Sequence, residues 1–254
     1  MSETVSETAA AVRAEFTKVR GVRSTFLALL LFAPLSVAIA ALDGWSAKSA
    51  IESDNGMLRD GFTAQQAGLD GILYGQLALI VFGVLVVSTE YGSGMMRVSL
   101  LAVPRRGRLY AAKLTVTASA ALLVALPVTV VGYLVTQAAL GTHGASLGDT
   151  GVPRALAGAV GYLVLMSLFA AGVAAAARSA VLPLAVLLPM VLAGSQILSV
   201  IGATKELARY FPDRAGTQML TVDSDDALRG CVVLLVWTAA ALALGYVRHR
   251  RWDA

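Results

Sequence analysis

The sequence predicts an all-α, polytopic membrane protein with six transmembrane helices. Three observations carry that prediction. Hydrophobic residues make up 57% of the 254 positions and the mean hydropathy is +0.73. Only 14% are charged, against roughly 25% in an ordinary soluble domain. Long apolar runs alternate with short charged segments, and the clearest, residues 72–88, carries no charge. A helix rising about 1.5 Å per residue needs roughly 20 residues to cross a hydrocarbon core of about 30 Å.

Residues 1–23 precede the first run. Val5, Val12, Phe16 and Val19 form a partial apolar stripe flanked by Arg13, Lys18, Arg20 and Arg23. An amphipathic helix lying at the membrane surface has this pattern; a loosely ordered basic leader is the alternative. The first run, residues 24–42, lacks a clear A-x-A cleavage site and is expected to stay as a spanning helix, bent at Pro34. Residues 43–70 are polar. Run two covers 71–89, run three 109–140 with Pro127 inside it, and run four 155–177. Arg178 and Ser179 form a tight break. Run five, 180–202, is interrupted by Pro183, Pro189 and Gly194, and either spans or enters as two half-helices. Residues 204–229 are polar, run six is 230–247, and 248–254 form a basic tail. The spanning domain is therefore 24–247.

The basic residues orient the chain. With both termini inside, thirteen of the 20 Lys and Arg lie on inner segments and eleven of the 16 acids on outer ones. This is the positive-inside pattern. A multi-pass cell-membrane protein with cytoplasmic termini is expected, in a bacterial plasma membrane. The same uneven placement explains the +4 net charge and pI near 9.4 by contact with lipid headgroups and not with nucleic acid.

Soluble-enzyme chemistry finds no support. Cys231, the single cysteine, lies in an apolar run and reads as a small apolar side chain. His143 has no ligand cluster around it, and His249 in the basic tail is expected to face solvent or lipid. Ser195 and Ser199 have no His or carboxylate close by in sequence to act as a base. Asp223, Asp225 and Asp226 lack the remaining ligands of a calcium loop; Asp223 or Ser224 capping a short helix is the more economical use. No catalytic and no metal site is expected. Gln76 and Gln196 are candidates for lining a translocation path, with helix–helix hydrogen bonding as the alternative.

The most informative segment is the first inner connection, residues 88–114. Glu90 stands where the second span leaves the hydrocarbon, and Val98, Leu100, Leu101 and Val103 make the loop too apolar for plain solvation. Residues 93–101 fit a short helix lying across the inner face, ended by Pro104. Arg105, Arg106 and Arg108 would hold the turn at the lipid phosphates. An ordinary basic re-entry loop is the alternative.

With Glu90, Gly94, Arg97, Pro104, Arg105 or Arg106, Arg108 and Lys113, the chain resembles the permease subunits of the ABC-2 type transporter family over essentially its whole length. The resemblance implies that residues 1–23 are a connecting helix and that 93–103 form a short cytoplasmic coupling helix seated on a nucleotide-binding subunit. Ser93, Gly94, Met95, Arg97, Leu100, Leu101, Pro104, Arg105 and Arg106 would make that contact, with Glu90 fixing the helix end. Where relatives often have threonine after the glycine, this chain has Met95. The implied partners are a cytoplasmic ABC ATPase, a second permease chain, identical or homologous, and membrane lipids. The sequence G-x-x-x-x-G-K-[ST] is absent. ATP and Mg would therefore act only through the partner, with no cofactor in this chain. The expected function is an ATP-driven exporter of a small amphiphilic or apolar substrate. A non-transport scaffold, immunity or sensor subunit is the competing reading.

Overall fold

The computed structural model describes residues 2–53, 58, 61–95, 105–202 and 204–250. Helix α1 (Ser2–Gly21) meets α2 (Arg23–Ser53) at Val22. The join is nearly continuous, because Val22 N–H donates to Lys18 O at 2.9 Å and Phe26 N–H to Val22 O at 3.0 Å. Short α3 (Ala64–Asp70) starts at Thr63, whose hydroxyl accepts from Gln66 N–H, and runs almost directly into α4 (Ile72–Ser93). Then come α5 (Arg106–Leu140), α6 (Val152–Ala177), α7 (Val181–Pro189), a π-helical turn (Met190–Gly194) and α8 (Ser195–Val200). Two short helices, α9 (Lys205–Ala208) and α10 (Pro212–Thr217), precede α11 (Ala227–Arg250).

Among the described residues there is no strand. Six segments are long and apolar enough to cross a membrane: Arg23–Ser53, Ala64–Gly92, Arg106–His143, Val152–Ala177, Val181–Val200 and Ala227–Arg250. This is the all-α polytopic architecture that the apolar runs predict. Large apolar side chains point outward from it, among them Leu27, Leu30 and Leu31 on α2 and Leu235 and Val236 on α11. Hydrocarbon solvates such faces without cost, while the backbone polar groups stay satisfied inside each helix.

Three local features depart from simple reading of the runs. Helix α2 continues to Ser53, eleven residues beyond the apolar run, because nothing in DGWSAKSAIES stops a helix firmly. Run five is neither straight nor split into half-helices. Its backbone stays helical from Val181 to Val200, with the π-helical turn directly after Pro189. A proline cannot donate to the ladder, and a single wide turn is a common way to absorb the defect. The break at Arg178 works because that residue takes the left-handed conformation (φ 55°) and closes α6 with an N–H to Ala174 O bond of 2.8 Å.

Helix α6 is the central post, packed against α4, α5 and α11. Small residues let the backbones approach. A Cβ on Gly83 would lie 2.2 Å from Ser167 O, and one on Gly172 would lie 2.8 Å from Ala241 C. Polar side chains tie the posts together. Thr136 Oγ1 donates to Ala40 O at 3.0 Å, joining α5 to α2, and Tyr110 OH donates to Leu242 O at 3.0 Å, joining α5 to α11. Gln137 is a double tie, donating to Ala64 O at 2.8 Å and accepting from Ala145 N–H at 2.7 Å. We expect Gly83→Val to force α4 and α6 apart and to cost about 1–3 kcal/mol. It should lower the thermal unfolding midpoint in detergent, whereas Gly92→Ala, with nothing within 4 Å of the new methyl, should leave it near wild type.

Candidate functional site

Four charged residues from three helices close into a ring beside the end of α4. Lys18 on α1 bonds Glu15 at 2.6 Å and Glu90 at 2.7 Å. Lys113 on α5 bonds Glu15 at 2.6 Å and Glu90 at 2.9 Å. Charges alternate around the ring and its net charge is zero. Glu15, Glu90 and Lys113 are almost fully buried, while the Lys18 side chain keeps 25% exposure. Burial disfavours the charged form of Lys18, but its hydrogen bonds to Glu15 and Glu90 and their attraction outweigh it. Its pKa is held above the ordinary lysine value, so it stays charged under physiological conditions.

The ring explains why α1 lies where it does. Ala11, Glu15 and Val19 recur every four residues and form the buried seam of that helix. Phe16, expected in the apolar stripe, is instead 40% exposed, with the Arg20 guanidinium 5.6 Å from its ring centroid. The sequence signal for the seam was an acid at a stripe position with a lysine three residues on. Lys113 is a motif position in the sequence, but nothing local links it to Glu15, 98 residues away.

The other coupling candidates divide into two groups. Arg97, Leu100, Leu101 and Pro104 lie outside the described residues. Ser93 is the last residue of α4 and Gly94 is its C-cap, in the left-handed conformation (φ 72°) that glycine adopts freely. Met95 is exposed. Arg105 is the N-cap of α5, and Arg106 donates to Arg250 O at 2.7 Å, tying α5 to the end of α11. Arg108 pairs with exposed Glu7 of α1. His249 corrects an expectation. It is buried, with Nδ1 3.4 Å from Tyr91 OH and its ring 5.6 Å from that of Tyr110. Helix α11 extends through Arg250, which carries His249 onto the bundle and away from solvent and lipid.

At the opposite end of α4, Gln76 and Gln196 line one cavity of about 440 Å³. Gln76 is buried and fully engaged: it accepts from Tyr162 OH on α6 and donates to Leu73 O at 2.6 Å. It is thus both a helix–helix tie and a wall residue. Ser195 has a carboxylate partner after all, since it donates to Asp213 of α10. The bond ties the end of run five to α10. Among the described residues no group of His, Cys, Asp and Glu is arranged to hold a metal.

Comparison with known sequences decides the family. The model of the ABC-2 family transporter proteins matches residues 11–201, three quarters of the chain. The chain belongs to the ABC-2 transporter family. No curated protein matches it significantly. The protein is a membrane-embedded permease component of an ABC transporter, a transport part that is not itself catalytic. Permeases of this family generally work with an ATPase subunit. All four ring residues of the permease fall within the matched stretch, whereas Asp213 and α11 fall beyond it.

Removing one member of a buried ion pair costs about 3–5 kcal/mol, while an exposed pair contributes about 0–1 kcal/mol. Lys113→Met should therefore loosen α1 from the permease, and trypsin cleavage after Arg13 and Arg20 should accelerate. Glu7→Gln, which breaks only the exposed pair to Arg108, should leave the cleavage rate near wild type.

Proposed function

We propose that this permease is the membrane half of an ATP-driven exporter. A separate ABC ATPase, using ATP and Mg, sits at the end of the bundle carrying the charge ring. The termini are cytoplasmic, as the distribution of Lys and Arg favours. A second permease chain completes the pathway, and the transported molecule is small and amphiphilic or apolar.

The observation that carries this reading is the closed ring of Glu15, Lys18, Glu90 and Lys113. It joins α1, the last turns of α4 and the first turns of α5 into one body. The expected coupling segment, residues 93–103, lies between the end of α4 and α5 in the chain, and by family resemblance it contacts the ATPase. A push on that connection moves α1, α4 and α5 together, because sliding any one of them leaves an unpaired charge in an apolar setting. Nucleotide-driven movement is thereby carried to the far end of α4. Gln76 lies fourteen residues before Glu90 on the same helix, about 21 Å along its axis.

Gentle purification of the tagged chain from its native membrane, followed by mass spectrometry, should recover a stoichiometric ABC ATPase. Its reproducible absence in several mild detergents would overturn the exporter reading. In the assembled complex, Glu90→Gln should reduce the amount of substrate moved per ATP hydrolysed by about tenfold, a coupling loss within the ordinary allosteric range. An unchanged ratio would remove the ring from the transmission path.

A further inference from the structure

The ends of α6 and α11 meet at a cleft of about 450 Å³, lined by Arg178, Leu244, Val247 and Arg248. Each arginine is fixed by the other's helix. Arg178 donates to Arg248 O, and Arg248 Nη1 donates to Ala176 O at 2.9 Å. Two like charges are thereby held in one cleft, and neither forms an ion pair among the described residues. Glu7, Glu15 and Glu90, acids at the same end of the bundle, are already matched by Arg108, Lys18 and Lys113. The carbonyl ends of α6 and α11 offset about half a unit of charge each, so the pair stays positive.

Arg178 stands where a glycine would be the ordinary choice. It is the single non-glycine residue with positive φ among the described residues, and a side chain in that conformation has a cost that glycine avoids. Arg248 is exposed and Arg178 half-buried, and both reach the cleft. Arg178 Nε is buried without an acceptor, so its charge must be met through the terminal nitrogens. A guanidinium has five N–H donors, and each of these two makes one hydrogen bond among the described residues. Beside the charges the cleft is apolar. Leu244 and Val247 are exposed on the last turns of α11, a helix of spanning length. Arg248 follows Leu244 by one turn on the same face. A ligand that satisfies both halves carries an anionic group and a hydrocarbon chain.

We propose that this cleft is a site for one anionic phospholipid, with its phosphate between Arg178 and Arg248 and an acyl chain along Leu244 and Val247. Basic pockets between spanning helices suit such headgroups, and the planar guanidinium bonds phosphate oxygens with defined geometry. The site rests on the membrane-spanning architecture and not on the exporter reading.

The test is native mass spectrometry of the full chain in detergent, titrated with phosphatidylglycerol and with phosphatidylcholine of the same acyl chains. The first phosphatidylglycerol should bind at least about tenfold more tightly than the first phosphatidylcholine. Arg178→Gly keeps the left-handed helix end and removes one charge; Arg248→Gln removes the other. Each should weaken that first step by about tenfold. Arg13→Gln, a change at an exposed arginine on α1 outside the cleft, should leave it unchanged. Equal affinity for the two lipids, undiminished binding to either cleft variant, or an equal loss in Arg13→Gln would each overturn the proposal. So would displacement of the lipid by equimolar glycerol phosphate, which marks a site for free phosphate, or by the copurified ATPase, which marks a protein contact. The comparison of the two lipids on the unaltered chain needs no variant to fold. Loss of the lipid preference would leave the exporter reading standing, and absence of an ATPase partner would leave the lipid site standing.

Discussion

The architecture depends on a buried ring of two carboxylates and two ammonium groups. In an apolar setting a lone charge is expensive, and a pair is tolerable only with close geometry. Here each carboxylate meets both lysines at 2.6–2.9 Å, so removing any one residue exposes an imbalance. That requirement holds α1 against the bundle, sets the relative heights of α4 and α5, and makes their shared end behave as one body. It is a constraint on position more than a source of stability.

Away from the ring, the bundle relies on close contact and scattered polar ties. In lipid the hydrophobic effect does not draw helices together, so small residues and interhelical hydrogen bonds do that work. Gly83 and Gly172 bring α4 and α11 onto α6, and Thr136, Tyr110 and Gln137 cross from α5 to its neighbours. The most loosely packed candidate span is Val181–Val200, with 22% of its apolar window buried. Its π-helical turn and α8 carry Val191, Leu192 and Ser195 to the cavity wall. The cavity therefore joins a well-packed side, α4 and α6, to a loosely packed one, a suitable arrangement for a wall that must move.

Much of this was legible in the residues. Uncharged runs of spanning length, the basic bias of alternate loops and the acid–glycine–basic–proline spacing after run two led to the architecture and the family. Those signals are local: hydropathy, charge and turn chemistry act within a few residues of one another. The end of α4 was less legible: the sequence places Gly94 inside a short helix over 93–101, whereas it is the left-handed cap that closes α4 after Ser93.

The pairings were not legible, because they join residues far apart in the chain. Glu15 and Lys113 are separated by 98 positions, Gln76 and Tyr162 by 86. Ser195 looked isolated until the chain turned back at α10 and set Asp213 beside it. His249 looked like part of a solvated tail until α11 placed it against Tyr91 and Tyr110. The sequence by itself determined that this is an α-helical membrane protein of six spans with a basic connection after the second. Only the tertiary structure decided which charges neutralise one another, because a charge is matched by proximity in space and hydropathy is read along the chain.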